Sequence, residues 1–256
     1  MSTQALEAED ADMDRIFEIC SLAFARNEPF FDATWPNHWT EAGRKQGGER
    51  MKKIKNTVPS TTFLKAVDIT GKIIGMAKWN IHTGDIPDFT KEDSERKAAK
   101  GLWNDEFEDA YVNELIDGFM IERRAALVRN GGRMVGLDIL TVDPSCQRQG
   151  AGGVLVKWGL EKADEMGVET VVESSVYGKG LYLKNGFVWK KDVELVVSEP
   201  YADRDKSAVE VDLISLIACE GQTPGLEQGN SLKGRVELSV LPVTPQRLFI
   251  EATTVL

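Results

Sequence analysis

Cysteine and histidine are scarce in this 256-residue chain, with three Cys (Cys20, Cys146, Cys219) and two His (His38, His82) scattered along it. That number and spacing exclude a disulfide framework and leave too few ligands for a structural metal centre, so no metal is expected and a reducing compartment fits. Long apolar runs are missing too: none approaches the ~18–20 residues of a membrane span. The first ten residues are acidic where a targeting peptide would be basic, so the expectation is a cytoplasmic protein with no membrane partner. Positive charge is in deficit, with 31 Lys and Arg against 41 Asp and Glu and a net charge of −10. Such a field repels phosphodiester backbones, and nucleic acid is not an expected partner. What is present is ordinary globular composition, 42% hydrophobic and 28% charged, which excludes a disordered or fibrous chain. The length allows one large domain, one domain with additions, or two small ones.

Residues 6–25 turn from acidic to apolar with Met13, Ile16, Phe17, Cys20 and Phe24 at helical steps, which predicts an amphipathic helix. Residues 28–39 carry Pro29, Phe30, Phe31, Trp35, Pro36 and Trp39, too proline-broken for a regular helix. They either cover a pocket or fill the core. Two β-prone runs, 61–69 and 72–82, flank a Thr70-Gly71 turn and read as a hairpin. Residues 84–131 form a helical insert with a stripe of Trp103, Phe107, Tyr111, Leu115 and Phe119 at four-residue steps. Between Asp85 and Ala125, 12 acidic residues face 6 basic ones, so the chain's acidity is concentrated there. Then follow a buried strand (134–142), a glycine-rich turn, a helix closed by Gly167 (150–166), a strand (168–174), a short helix ended by Asn185-Gly186 (179–184), and strands at 187–197 and 208–216. The reading gives one domain over 1–215 and an extension over 216–256, whose apolar pieces at 236–241 and 248–255 show no readable organisation.

Chemistry concentrates where the 134–142 strand ends in Asp143-Pro144-Ser145-Cys146 and runs through Gln147-Arg148-Gln149-Gly150-Ala151-Gly152-Gly153 into a helix. A glycine turn feeding a helix N-terminus presents backbone N–H groups and the positive end of the helix dipole, with no Cβ to block a ligand. An anionic group can be cradled there with few cations, of which Arg148, Lys157 and Lys179 are at hand, even in an acidic protein. Two familiar phosphate loops are excluded: GxGxxG needs glycine where Leu155 stands, and no Gly-Lys-Ser or Gly-Lys-Thr ending exists.

Gln147, Gly150 and Gly152 satisfy the pattern Q/R-x-x-G-x-G/A directly after a strand ending Val142-Asp143-Pro144, and here the chain resembles the GNAT superfamily of acetyl-CoA-dependent N-acetyltransferases. Residues 181–187 resemble that family's fourth-helix signature, with Tyr182 four residues before Gly186-Phe187. Glu173-Ser174-Ser175 resembles the fifth strand of fungal-type, stand-alone members, and residues 5–24 resemble the first strand and helix. The likeness spans 5–215 and departs at the helices of 84–131 and in the tail. It implies an α/β fold: a mixed, mostly antiparallel central sheet with flanking helices and a splayed central strand pair. It also implies acetyl-CoA held by Leu140, Thr141, Val142, Gln147, Arg148, Gln149, Gly150, Ala151, Gly152 and Gly153, and direct transfer of its acetyl group to a primary amine of a small molecule in a ternary complex.

An alkylamine with a pKa of about 10 must lose a proton before it attacks. Asp138 and Glu173 are the candidate bases, each a carboxylate in an apolar strand where burial would raise its pKa; either can instead be a structural acid. Tyr182 is positioned to donate to the departing thiolate, or it is a pocket-wall tyrosine. The N–H groups of Leu140 and Val142 would pair with the pantetheine arm, and one of them would polarise the thioester carbonyl. Cys146 has no histidine near it in sequence, and direct transfer needs no nucleophilic residue. His38 reads as a packing residue, and His82 as packing or as a residue facing the acceptor cleft. The aromatic group Phe30, Phe31, Trp35 and Trp39 either packs the core or walls the acceptor site. Two alternatives stand beside the small-amine reading: a catalytically silent acyl-CoA-binding or interaction protein, and a protein N-acetyltransferase.

Overall fold

The structure is a computed structural model and describes residues 3–25, 28–98, 106–196 and 208–217. Chain contacts divide it into Met1–Glu220 and Gly221–Leu256. The second unit, which holds the expected tail pieces at 236–241 and 248–255, lies outside the described residues, as do Trp103 and Cys219 of the first.

In chain order the elements are β1 (Gln4–Glu7), α1 (Met13–Phe24), α2 (Pro29–Thr34), α3 (Glu41–Thr57), β2 (Thr61–Val67), β3 (Ile73–Thr83), α4 (Phe89–Ala98), α5 (Glu106–Arg129), β4 (Arg133–Val142), α6 (Ala151–Met166), β5 (Glu169–Ser174), α7 (Lys179–Lys184), β6 (Val188–Val196) and β7 (Ala208–Ile217). The strands form one seven-stranded sheet in the order β1-β2-β3-β4-β5-β7-β6. Every neighbouring pair is antiparallel except β4 and β5, which run parallel. The expected mixed, mostly antiparallel α/β sheet is therefore present.

Alternation along the strands sorts the side chains onto two faces. Leu64, Ala77, Trp79, Val135, Leu137 and Val172 point to one face and pack against Ala151, Leu155 and Val156 of α6 and Tyr182 of α7. Phe63 and Met76 point to the other face, where α1 brings Met13, Ile16, Phe17 and Cys20, and α3 brings Met51. Helix α5 crosses this second face, packing Leu115 on Leu195 of β6, and Ala126 and Leu127 near Met134 and Val171.

Three local expectations change. The first helix starts at Met13, because residues 4–7 pair with β2 as an edge strand. Pro29 does not prevent a helix; it takes the first-turn position of α2, where its missing N–H costs nothing. Helix α3 was not foreseen, since its segment is polar and holds three glycines. Those glycines are packing positions: a Cβ on Gly47 would meet the Phe17 ring at 2.1 Å, and one on Gly48 would meet Asp14 at 2.4 Å. The aromatic segment after α1 is pinned by His38, which contacts Ser21 Oγ at 3.1 Å and Asp32 Oδ1 at 2.9 Å and is fully buried.

Helix α6 lies close on the sheet because Gly159 faces Trp79, where an added Cβ would come within 2.3 Å of the indole. In an exposed helix, Gly→Ala gains up to about 1 kcal/mol. Here the sign reverses: Gly159→Ala is expected to lower stability by about 1–3 kcal/mol through overpacking, read as a lower urea midpoint. An unchanged or raised midpoint would place α6 further from Trp79 than described.

Candidate active site

Between β4 and α6 the chain makes a tight turn. Asp143 accepts from Ser145 N at 2.9 Å and Ser145 Oγ at 2.6 Å, and it pairs with Arg15 of α1, which anchors the start of the turn. Bonds from Ser145, against the cost of burial, and the pairing with Arg15 hold its carboxyl below the usual range. Arg148 (φ 63°) and Gly150 (φ 91°) both adopt the left-handed region, turning successive N–H groups toward one side. Gly150 caps α6, and a Cβ on Gly150 or Gly153 would meet nothing within 4 Å. Among the described residues, no acceptor takes the backbone N–H of Arg148, Gly150, Ala151, Gly152 or Gly153. Gln147, Arg148 and Gln149 are exposed, and Arg148 has no ion pair among the described residues, whereas Lys157 faces Glu161 at 3.5 Å and Lys179 lies over the Trp189 ring. Unclaimed donors, absent Cβ atoms and one free cation suit a phosphate-bearing group.

The parallel pairing of β4 with β5 lasts only three residues, Val135 with Thr170, Gly136 with Val171 and Leu137 with Val172. From there β4 stays with β3, while β5 continues with β7 as far as Ser174 opposite Asp212. The splay expected between the central strands is therefore present. Asp143 N–H donates to Ile74 O at 2.9 Å, so alternation directs the Thr141 N–H toward β3 and those of Leu140 and Val142 into the gap. The Thr141 side chain turns the other way, beneath α1, with its hydroxyl 3.4 Å from Cys20 Sγ. Burial pushes that thiol up to about 12.

At the mouth of the gap sits Arg123 of α5, 3% exposed. Its guanidinium donates to the Leu137 carbonyl at 2.8 Å, pairs with Asp138, and takes Glu173 at both ends, Nε at 3.2 Å. Gly136 leaves it room: a Cβ there would stand 3.2 Å from the guanidinium. Asp138 occupies an irregularity in the β3–β4 register and also accepts from Lys78 Nζ at 2.6 Å and Asn80 Nδ2 at 2.7 Å. The expectation that burial lifts both carboxylates fails for Asp138. Burial does oppose its charge, but Lys78, Arg123 and Asn80 together hold it at about 2. For Glu173, whose side chain is 2% exposed, burial prevails over Arg123 and its carboxyl lies above the ordinary value.

Tyr182 of α7 is 5% exposed and stands edge-on to Phe187 at 5.5 Å. Its hydroxyl makes no hydrogen bond to any described residue, yet it is not sealed from solvent as Trp79 Nε1 is. Burial pushes the phenol well above its usual value, so it stays protonated. Phe31 and Trp35 pack in the core, Phe30 stacks on Phe119 at 4.6 Å, and Trp39 is 40% exposed. Cys146 Sγ lies 3.5 Å from Ser145 Oγ.

The residue that organises the gap was missed at the level of sequence. Arg123 continues the stripe of Tyr111, Leu115 and Phe119 at the next step of four, and a cation on an apolar stripe is the signal that could have found it.

Comparisons with known proteins find the same fold. Residues 87–197 match the family model described as an acetyltransferase (GNAT) domain. The matched region includes α4 and α5, the helices read from sequence as an insert. No curated protein matches the chain. Among solved structures, arylalkylamine N-acetyltransferase 2 from Aedes aegypti is 16% identical, with 86% of this chain and 100% of that chain covered and a TM-score of 0.58. The Drosophila melanogaster polyamine N-acetyltransferase is 14% identical, covers 84% and 100% of the two chains, and has a TM-score of 0.56. A Corynebacterium glutamicum protein described as histone acetyltransferase HPA2 and related acetyltransferase is 19% identical, covers 84% and 96%, and has a TM-score of 0.51. At these identities the likeness is one of fold.

Removing Arg123 strands two carboxylates in the gap. Arg123→Leu is expected to cost about 3–5 kcal/mol in urea unfolding, with part of the loss recovered by adding Glu173→Gln. A loss below about 1 kcal/mol would mean that solvent already carries the charges.

Proposed function

We propose that the chain transfers the acetyl group of acetyl-CoA to a primary amine of a small molecule in the cytoplasm, by direct attack with both substrates bound. The observation that supports this reading is a continuous line of unclaimed backbone donors, from the N-terminus of α6 through Val142 and Leu140, leading along the strand gap. Arg148, Gly150, Ala151, Gly152 and Gly153 would hold the phosphates, with Gln147 and Gln149 on the turn, while Leu140 and Val142 would hold the pantetheine amides by backbone donation. Thr141, whose N–H faces β3 and whose hydroxyl lies beneath α1, would only space Leu140 and Val142. Acetyl-CoA supplies an activated thioester. Preorganised N–H groups beside its carbonyl lower the barrier to attack without reorganising.

Tyr182 would act as hydrogen-bond donor to the departing thiolate. Its phenol stands far above the ~8.5 of a thiol, so it stabilises that charge by donation and keeps its own proton. Of the two carboxylates, Glu173 is the better proton acceptor, since Asp138 at about 2 is far too weak a base. The first test is calorimetry of acetyl-CoA beside NAD and ATP, followed by amine-dependent release of free coenzyme A. Binding of all three nucleotides alike, or binding of none, would overturn the cofactor assignment. Binding without release for any amine would favour a silent acyl-CoA-binding protein.

Two variants separate the parts. Tyr182→Phe is expected to lower kcat by about 10²-fold while the acetyl-CoA Kd stays within about twofold. An unchanged kcat would remove the tyrosine from the chemistry. Gly150→Glu is expected to abolish calorimetric binding of acetyl-CoA, because a side chain and a negative charge enter the cradle, while the thermal midpoint moves only by the strain of a left-handed non-glycine residue. Retained tight binding would mean the phosphates lie elsewhere.

A further inference from the structure

On the sheet face covered by α3 and α5, a cavity of about 310 Å³ follows β3 from Lys78 through Asn80 to His82. Pockets of this order hold small molecules. Its Lys78 end lies beside the strand gap, since Lys78 pairs with Ile139, next to Leu140. His82 stands four residues further on, about 13 Å of strand. That separation is too great for the imidazole to take a proton from a nitrogen reacting in the gap, and it suits the remote end of an acceptor lying along β3.

The charges around this cavity are already matched. Lys78 is spent on Asp138, and Arg123 on Asp138 and Glu173. Arg124 is held by Asp93 through two bonds of 2.7 Å. Glu92, half-exposed on α4, lies 4.0 Å from Arg124, and burial pushes its carboxyl above the ordinary value. No cation is therefore left to receive a carboxylate, and the acid that lines the cavity, Glu92, already faces Arg124. His82 is different: it is half-buried, makes no hydrogen bond to any described residue, and is kept neutral by burial and the nearby Arg123. A neutral imidazole offers one donor and one acceptor. The same cavity is lined by the apolar side chains of Val58, Phe89, Met120 and Leu127.

We propose that this cavity holds the remote end of the acceptor amine, and that His82 selects an uncharged hydrogen-bonding group there, a hydroxyl carried on an apolar or aromatic body. The inference rests on the acetyl-transfer reading for the identity of the ligand as an amine, and it adds a specificity residue outside the reacting centre. The mechanism of choice is the one by which buried polar groups reject partners that leave them unpaired.

The probes are tyramine and phenethylamine, which differ by one hydroxyl. Tag-free protein has only His38 and His82, so its imidazole NMR signals provide a reporter and an internal reference, His38 being fully buried against Asp32. Tyramine is expected to shift the His82 signal and leave that of His38 in place, and wild-type kcat/KM is expected to favour tyramine by about tenfold or more. His82→Leu should bring that ratio close to one by raising the KM for tyramine, and His82→Gln should restore part of it. The proposal is overturned if tyramine moves neither signal, or if His82→Leu leaves the ratio as in wild type. Failure of the acetyl-transfer reading has a different signature: neither amine releases coenzyme A from wild-type protein while tyramine still shifts His82, a result that keeps the binding cavity and removes the reaction.

Discussion

Arg123 holds together two strands that the sheet itself releases. Beyond Leu137 and Val172, β4 and β5 have no ladder between them, and a gap of that kind would ordinarily close or fill with water. A buried guanidinium avoids both outcomes because its planar fork reaches three acceptors at once: the Leu137 carbonyl, Asp138 and Glu173. With Lys78 added, two cations face two carboxylates and the cluster is neutral, the condition under which charges tolerate a dry site. The glycine at 136 completes the arrangement by leaving space for the side chain.

The gap joins two unlike surfaces. On the α6 and α7 side lie dipoles and unclaimed N–H groups, which can bind an anion although the whole chain carries −10. Local donors prevail there because they act at contact distance, whereas the net charge acts across solvent and is screened within about 8–10 Å. On the α3 and α5 side lies the cavity with its matched charges and single uncommitted imidazole. On the proposed reading, a donor held from one side and an acceptor from the other would meet where β4 is irregular, at Asp138.

Much of this was legible in sequence wherever local pattern and local chemistry agreed. The run from 134 to 186 has strict strand and helix periods, glycine caps and the Gln147-to-Gly152 pattern, and the structure places β4, α6, β5 and α7 there within a residue or two. Other parts were hidden because they are made by tertiary contact. Helix α3 looks like a glycine-containing polar loop until Phe17 and Asp14 are seen against Gly47 and Gly48. The four residues of β1 are too few to show a period, and they are a strand only because β2 is beside them. Asp138 looks like a carboxylate raised by burial, yet its acidity is set by Lys78 sixty residues away and by Arg123 on another element. No window along the chain contains that triplet.

The placement of Arg123 on α5 ties the two halves of the site to each other. The same helix lines the cavity with Met120, Arg124 and Leu127 and supplies the guanidinium that bridges the strand gap. A shift of α5 that reshaped the cavity for a different acceptor would therefore move Arg123 against Asp138 and Glu173. With Arg123 and Glu173 buried at that contact, a displacement of even about 1 Å loses hydrogen bonds that no other described side chain there replaces. If the cavity takes the acceptor, its choice would consequently be easier to change at side chains such as His82, which stands on β3 and carries no part of the charge cluster, than by moving the helix that walls the cavity. On that reading the fold separates the residues free to set specificity from those bound in the charge cluster at the gap.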